Sequence, residues 1–160
     1  MTERAANESD EVAIADVINR AAQAYRGVIP NACWHDPYMP LSELRDEISD
    51  GVMFRIIEHN SRIMAVMGLQ TRDDVTLIRH AYVCPTSQRQ GYGSRLLKRF
   101  VAERTTPLLI GTWAAAQWAI DFYLGHGFTR VPEAEIEALL RRYWDVPATQ
   151  MHHSVVLRLG

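Results

Sequence analysis

Val83-Cys84-Pro85-Thr86-Ser87-Gln88-Arg89-Gln90-Gly91-Tyr92-Gly93-Ser94 joins an apolar run to an amphipathic one, and its reading decides the fold. The preceding run, Val75 to Val83, is strand-like and is ended by Pro85. The following run, Tyr92 to Glu103, sets Leu96, Leu97, Phe100 and Val101 on one side and Arg95, Lys98 and Arg99 on the other, as a helix does. Gly91 and Gly93 allow unusual dihedrals and let the backbone approach a ligand closely. The free N–H groups of a helix start carry partial positive charge and suit a phosphate or pyrophosphate. Arg89 adds a full charge. A dinucleotide fingerprint needs a small residue three positions after Gly93, where this chain has Leu96. A Walker loop needs Gly-Lys-Ser/Thr, which is absent. The pattern left is Arg/Gln-x-x-Gly-x-Gly, carried by Gln88 to Gly93.

Working outward, Ser9 before Asp10 and Glu11 predicts a helix start, and Ile14, Val17, Ile18, Ala21 and Tyr25 recur at helical spacing before Gly27. Pro30, Pro37 and Pro40 enclose a turn-rich stretch containing Trp34, His35, Asp36 and Tyr38. A short helix is expected from Ser42 to near Gly51, then a hairpin of Val52–Glu58 and Ile63–Leu69 about Asn60-Ser61. Beyond the loop helix come a strand at Pro107–Thr112, a helix at Ala114–Leu124 closed by Gly125, and a strand at Phe128–Val131. A helix at Glu133–Trp144 and a strand at Ser154–Leu159 follow. Strands alternating with helices after an opening hairpin predict a mixed, partly parallel α/β sheet.

The chain has 160 residues, a size that argues for one domain spanning 1–160 and able to bury a core without a metal or disulfide staple. Its 17 Lys+Arg and 19 Asp+Glu leave a net charge of −2, with no basic footprint for nucleic acid. No run of about 20 apolar residues predicts a membrane span. The first residues lack the order of a signal peptide, so a cytoplasmic location is expected. Cys33 and Cys84 stand alone, without metal-ligand spacing, and read as thiols in a reducing compartment. His35-Asp36 is too small a set for a metal, and His152 and His153 would face opposite sides of a strand, so no metal is expected.

Some thirty residues after the glycine loop, Ala116-Gln117-Trp118-Ala119-Ile120-Asp121-Phe122-Tyr123-Leu124-Gly125-His126-Gly127-Phe128 carries a small residue, a later tyrosine and a Gly-Phe ending. In order, separation and intervening strand, the two motifs resemble the hallmarks of the GNAT superfamily of N-acetyltransferases, in particular small prokaryotic members with unassigned substrates. The resemblance covers most of the chain. It implies a GNAT acyl-CoA N-acyltransferase fold and acetyl-CoA as cosubstrate. Gln88, Arg89, Gln90, Gly91, Tyr92, Gly93 and Ser94 would hold the pyrophosphate, while Ala81, Tyr82 and Val83 of the central strand would pair with the pantetheine. Ala116, Ala119 and Tyr123 lie at i, i+3 and i+7 on one helix face, where two alanines leave a groove ending at a phenol. Many members have Asn at the position of Ala116, so one pantetheine contact is missing. Family members also lead one to expect a homodimer.

The implied reaction is direct attack of a primary amine, from a small molecule or a peptide, on the thioester. A backbone N–H near Ala81–Val83 would polarise the acetyl carbonyl. Tyr123, protonated at neutral pH, is the expected general acid for the departing sulfur. For the base, Arg79, His80, Glu58 and water are all open. Strand alternation predicts that Arg79 and His80 point to opposite faces, with Arg79 toward the cofactor. Trp34, His35 and Tyr38 are expected in the acceptor pocket, because family members build that wall from the connection between the first helices. The helix at Glu133–Trp144 is expected to cover that pocket or to serve as a dimer contact, and its apolar stripe is equally consistent with plain packing. The alternative function is a catalytically inactive acyl-CoA-binding sensor or regulatory module.

Overall fold

The computed structural model describes residues 1–160. Strands β1 (Thr2–Ala5), β2 (Met53–His59), β3 (Arg62–Arg72), β4 (Val75–Val83), β5 (Leu108–Trp113), β6 (Thr129–Arg130) and β7 (Ser154–Leu159) form one sheet in the order β1-β2-β3-β4-β5-β7-β6. Only β4 and β5 run parallel. Their connection is the glycine loop and helix α3 (Tyr92–Glu103), since a parallel pair needs a crossover. The remaining helices are α1 (Glu11–Ala21), α2 (Leu41–Ser49), α4 (Gln117–Leu124), α5 (Glu133–Tyr143) and α6 (Ala148–Met151). No helix is long and apolar enough to cross a membrane.

Period-two alternation along the strands sorts the core into two faces. Ala65, Met67, Ile78, Leu108, Ile110 and Leu157 meet Leu96, Leu97 and Phe100 of α3 and Ile120 and Tyr123 of α4. On the other face, Phe54, Ile56 and Val66 meet Ile14, Val17, Ile18 and Leu44 of α1 and α2. Further along that face, Leu77, Leu109 and Val156 meet Leu140 and Tyr143 of α5. The layer of α1 and α2 and the layer of α5 thus share one side of the sheet.

The structure changes several expected boundaries. The first helix is capped by Asn7 rather than Ser9: Asn7 accepts from the Ser9 amide at 3.0 Å, and Asp10 accepts from the Asn7 amide at 2.8 Å. A 3₁₀ turn precedes α1, and another carries the chain on to Tyr25. The edge strand β1 has no hydrophobic alternation to announce it. Its register against β2 is held by charge. Arg4 donates to Asp10 at 2.8 and 2.9 Å and to Glu58 at 3.0 Å, and Glu3 lies 3.1 Å from Arg95. The helix expected from Ala114 begins at Gln117, and α6 was not expected. His152 and His153 lie in the turn before β7 rather than on a strand, so the alternation argument does not apply to them.

Hydrogen bonds from Arg4, opposed by burial and assisted by the Asn7 amide, hold the Asp10 carboxyl below the usual carboxylate range. A carboxyl depressed in the folded state stabilises above its unfolded value, and that contribution is lost as the pH falls through the folded value. Asp10→Asn is therefore expected to lower the urea midpoint at neutral pH. The deficit should shrink as the pH drops below about 4, which urea titrations at several pH values would read.

Candidate active site

The parallel ladder is short. Residue pairs join β4 to β5 only from Thr76↔Leu108 to Ile78↔Ile110, although β4 continues to Val83 and β5 to Trp113. The other edge of β4 stays paired with β3 as far as Val83. From Arg79 onward, the edge of β4 that faces β5 has no strand partner, and the strands open like a V. Backbone polar groups at such an opening must bond elsewhere.

A bulge sharpens this geometry. Val66 pairs with Tyr82 and Gly68 with Arg79, so His80 and Ala81 together oppose Met67 alone. His80 takes φ +53°, the left-handed region that a residue with a side chain seldom adopts. Gly68 makes room for it: a Cβ there would lie 2.9 Å from Val52 Cγ1 and 3.0 Å from the Arg79 carbonyl oxygen. The bulge overturns the expected alternation. Arg79 Nη2 and His80 Nε2 both reach Oε1 of Glu47, at 2.6 and 2.7 Å, and both side chains line one cavity. Burial of Glu47 opposes its ionisation, but the hydrogen bond and charge of His80 together with Arg79 outweigh it and hold the carboxyl below the usual range. Arg79 also donates to the buried Gln70 at 2.7 Å, and Gln70 donates to the Asp50 carbonyl at 3.0 Å.

Two cavities meet at the opening of the V. The larger, about 580 Å³, runs between α3 and α4. The central strand contributes Ala81, Tyr82 and Val83, the loop contributes Gln88, Arg89 and Gly93, and α4 contributes Ala119, Phe122 and Tyr123. The smaller, about 150 Å³, lies on the other side of β4 and is bounded by Tyr38, Trp113, Leu140 and Trp144 as well as Arg79 and His80. Tyr25 and Tyr82 line both, so the cavities share a wall. Tyr25 is a hub, with ring centroids 5.5 Å from Tyr38, 6.3 Å from Tyr82 and 5.8 Å from Trp118.

At the mouth of the larger cavity, Arg89 and Gly91 take φ +66° and +79°, and Gly91 sits at the start of α3 with no side-chain cap. No backbone or side-chain acceptor takes the amide of any residue from Gln88 to Ser94. Left-handed residues within such a loop turn successive amides toward one side, a concave donor set that fits an anion. At the inner end, burial followed by the proximity of Tyr25 pushes the Tyr123 phenol above its ordinary range, and its hydroxyl has no protein partner. It stays protonated at neutral pH.

Not every expected residue converges here. Ala116 precedes α4 and is fully buried against Ala22, Tyr25, Ile29 and Trp113, outside the groove. The groove wall on α4 is made instead by Trp118, Ala119 and Phe122. Gln90, Gly91, Tyr92 and Ser94 contribute loop and helix-start amides, and the Tyr92 hydroxyl turns to Gln90 at 3.0 Å. Tyr38 lines the smaller cavity, where Trp113 Nε1–H donates to its hydroxyl at 2.9 Å. Trp34 and His35 stack on Tyr38 from outside, at 5.7 and 5.9 Å, and do not reach the cavity. Glu58, a candidate base, accepts from Arg4 and lines neither cavity. The helix at Glu133–Trp144 packs Leu140 and Tyr143 against the sheet, and Leu140 and Trp144 also line the smaller cavity. Glu47, Tyr25, Trp113 and Trp118 were missed as site residues. Tyr25 lay in the apolar spacing of the first helix, while Glu47 gave no signal at all.

A family model described as an acetyltransferase (GNAT) domain matches residues 50–130, from β2 to β6, and the chain belongs to that family. Solved structures share the fold along the whole chain at low identity. An acetyltransferase of the GNAT family from Staphylococcus aureus superposes with a TM-score of 0.73 at 15% identity, covering 99% of both chains. The PaiA N-acetyltransferase of Thermoplasma acidophilum, solved with coenzyme A, gives 0.70 at 13% identity, covering 99% of this chain and 98% of that one. The ribosomal-protein-S18-alanine N-acetyltransferase of Escherichia coli gives 0.67 at 18% identity, covering 99% and 92%. No curated protein sequence matches the chain.

Proposed function

We propose that the protein is an acetyl-CoA-dependent N-acetyltransferase that acetylates a primary amine by direct transfer. The observation that carries this reading is the unpartnered amide cradle from Gln88 to Ser94, opening onto an apolar groove that ends at the free Tyr123 hydroxyl. Those amides and Arg89 would hold the pyrophosphate, and the open edge of β4 at Ala81–Val83 would pair with the pantetheine. Acetyl-CoA supplies the thioester carbonyl. The acceptor amine enters from the smaller cavity and meets the groove at Tyr25 and Tyr82.

His80 is the base in this reading, and Glu47 is its positioning residue. With Nε2 held by Glu47, Nδ1 is the ring nitrogen left to take a proton, the arrangement by which a carboxylate orients a histidine and stabilises its cation. The N–C bond forms as the C–S bond breaks. An ammonium acceptor loses two protons, the first through His80 to solvent before attack and the second to solvent as the amide forms. Tyr123 gives one to sulfur and regains it from solvent, so that one proton is released per turnover. Arg79, always cationic and held by Glu47 and Gln70, serves the geometry rather than the proton transfer.

Isothermal calorimetry of the purified chain is expected to give saturable one-site binding of acetyl-CoA, with free CoA thiol released when amines are added. Absence of heat would remove the cofactor assignment. Binding without turnover across amines and peptides would instead favour an acyl-CoA sensor.

A further inference from the structure

The smaller cavity specifies its occupant by size, wall chemistry and charge. Its volume, about 150 Å³, is enough for one six-membered ring. Five of its walls are aromatic: Tyr25, Tyr38, Tyr82, Trp113 and Trp144. Aromatic walls favour offset or edge contacts with a planar ring. Besides Arg79 and His80, its polar groups are the uncharged Thr112, Gln150 and Ser154, and no carboxylate lines it. Glu47, behind the wall formed by Arg79 and His80, already receives both on the same oxygen. A polyamine or a lysine-like acceptor would bring its distal ammonium to a wall holding Arg79, without a counter-charge. The connection after α5, through Trp144, Val146 and Gln150, bounds the cavity where a peptide acceptor would need room for its following residues.

We propose that the acceptor is a monoamine bearing one ring-sized apolar group, which occupies the smaller cavity and presents its nitrogen to the groove beside Tyr82. This rests on the acetyl-transfer reading above and names its substrate class. Gly111 sets the depth. A Cβ added there would meet the Trp144 indole at 3.5 Å and Leu140 at 3.8 Å, so a branched side chain would crowd these two walls of the cavity.

The test is thiol release with 2-phenylethylamine, n-butylamine, spermidine and an alanyl hexapeptide, with acetyl-CoA binding followed in parallel by calorimetry. The ring amine is expected to have the highest kcat/KM, by about tenfold or more, the discrimination typical of a pocket that one substrate fills and another does not. Gly111→Val is expected to raise KM for the ring amine by about tenfold while acetyl-CoA affinity is kept, because Gly111 borders only the acceptor cavity. Preference for spermidine or the hexapeptide would overturn the substrate class and leave acetyl transfer standing. So would equal rates for the ring amine and n-butylamine, or an unchanged KM in Gly111→Val. Acetyl-CoA binding without turnover of any amine would overturn this inference together with the enzymatic reading. Failure to bind acetyl-CoA would overturn the cofactor assignment beneath both.

Discussion

Tyr123→Phe is expected to lower kcat by about 100-fold or more while acetyl-CoA still binds with wild-type affinity, the loss that follows removal of a positioned general acid. The phenol is buried, raised above its ordinary range, and makes no hydrogen bond within the protein. The substitution therefore deletes one oxygen without orphaning a partner, and the ring keeps its edge contacts with Phe122 at 5.1 Å and Phe128 at 5.5 Å. Because nothing structural depends on the hydroxyl, thermal stability should hardly change. Single-turnover kinetics with calorimetry would separate the chemical step from binding. An unchanged kcat would exclude Tyr123 as the acid and leave solvent as the proton donor to sulfur.

His80→Asn should have an effect of the same order, about 100-fold in kcat/KM at neutral pH, with a different signature. Asn tolerates the left-handed backbone at this position better than most residues, so the bulge should survive. Without a base, the reaction must wait for amine that is already neutral. The residual rate should then climb with pH toward the amine's own pKa, about 10 for an alkylamine. The wild-type profile should level off earlier. Glu47→Gln is expected to produce a smaller fall and an altered pH profile, because the imidazole remains but loses its anionic partner. A purely structural role for either residue would lower stability and leave the shape of the profile unmoved, which is the result that would overturn the assignment.

Much of the frame could be read directly. β4, α3 and β7 have the limits expected from their sequence patterns, and the glycine loop stands where the motif set it. These elements announce themselves because their signals are local: alternation along a strand, a stripe along a helix, a glycine at a positive φ. β1 was illegible for the converse reason. Thr2–Ala5 has no apolar face to declare, and its place depends on Glu3 and Arg4 finding partners on α3, on β2 and at the start of α1. Ala116 misled because helical spacing was extended one turn too early, and the residue packs into the core beside Trp113.

By itself the sequence determined the family and the fold class and marked the glycine loop and the tyrosine of α4, each carried by a contiguous motif. Only the tertiary structure decided where Arg79 and His80 point. A strand read in isolation sends Arg79 and His80 apart. Pairing two residues of β4 against Met67 brings both onto Glu47, a residue of α2 more than thirty positions away. Dihedral preference and hydrophobic period act over a few residues and can be read in order. Register, bulge and the convergence of distant side chains depend on what each strand meets across the sheet, and that is settled only when the chain has packed.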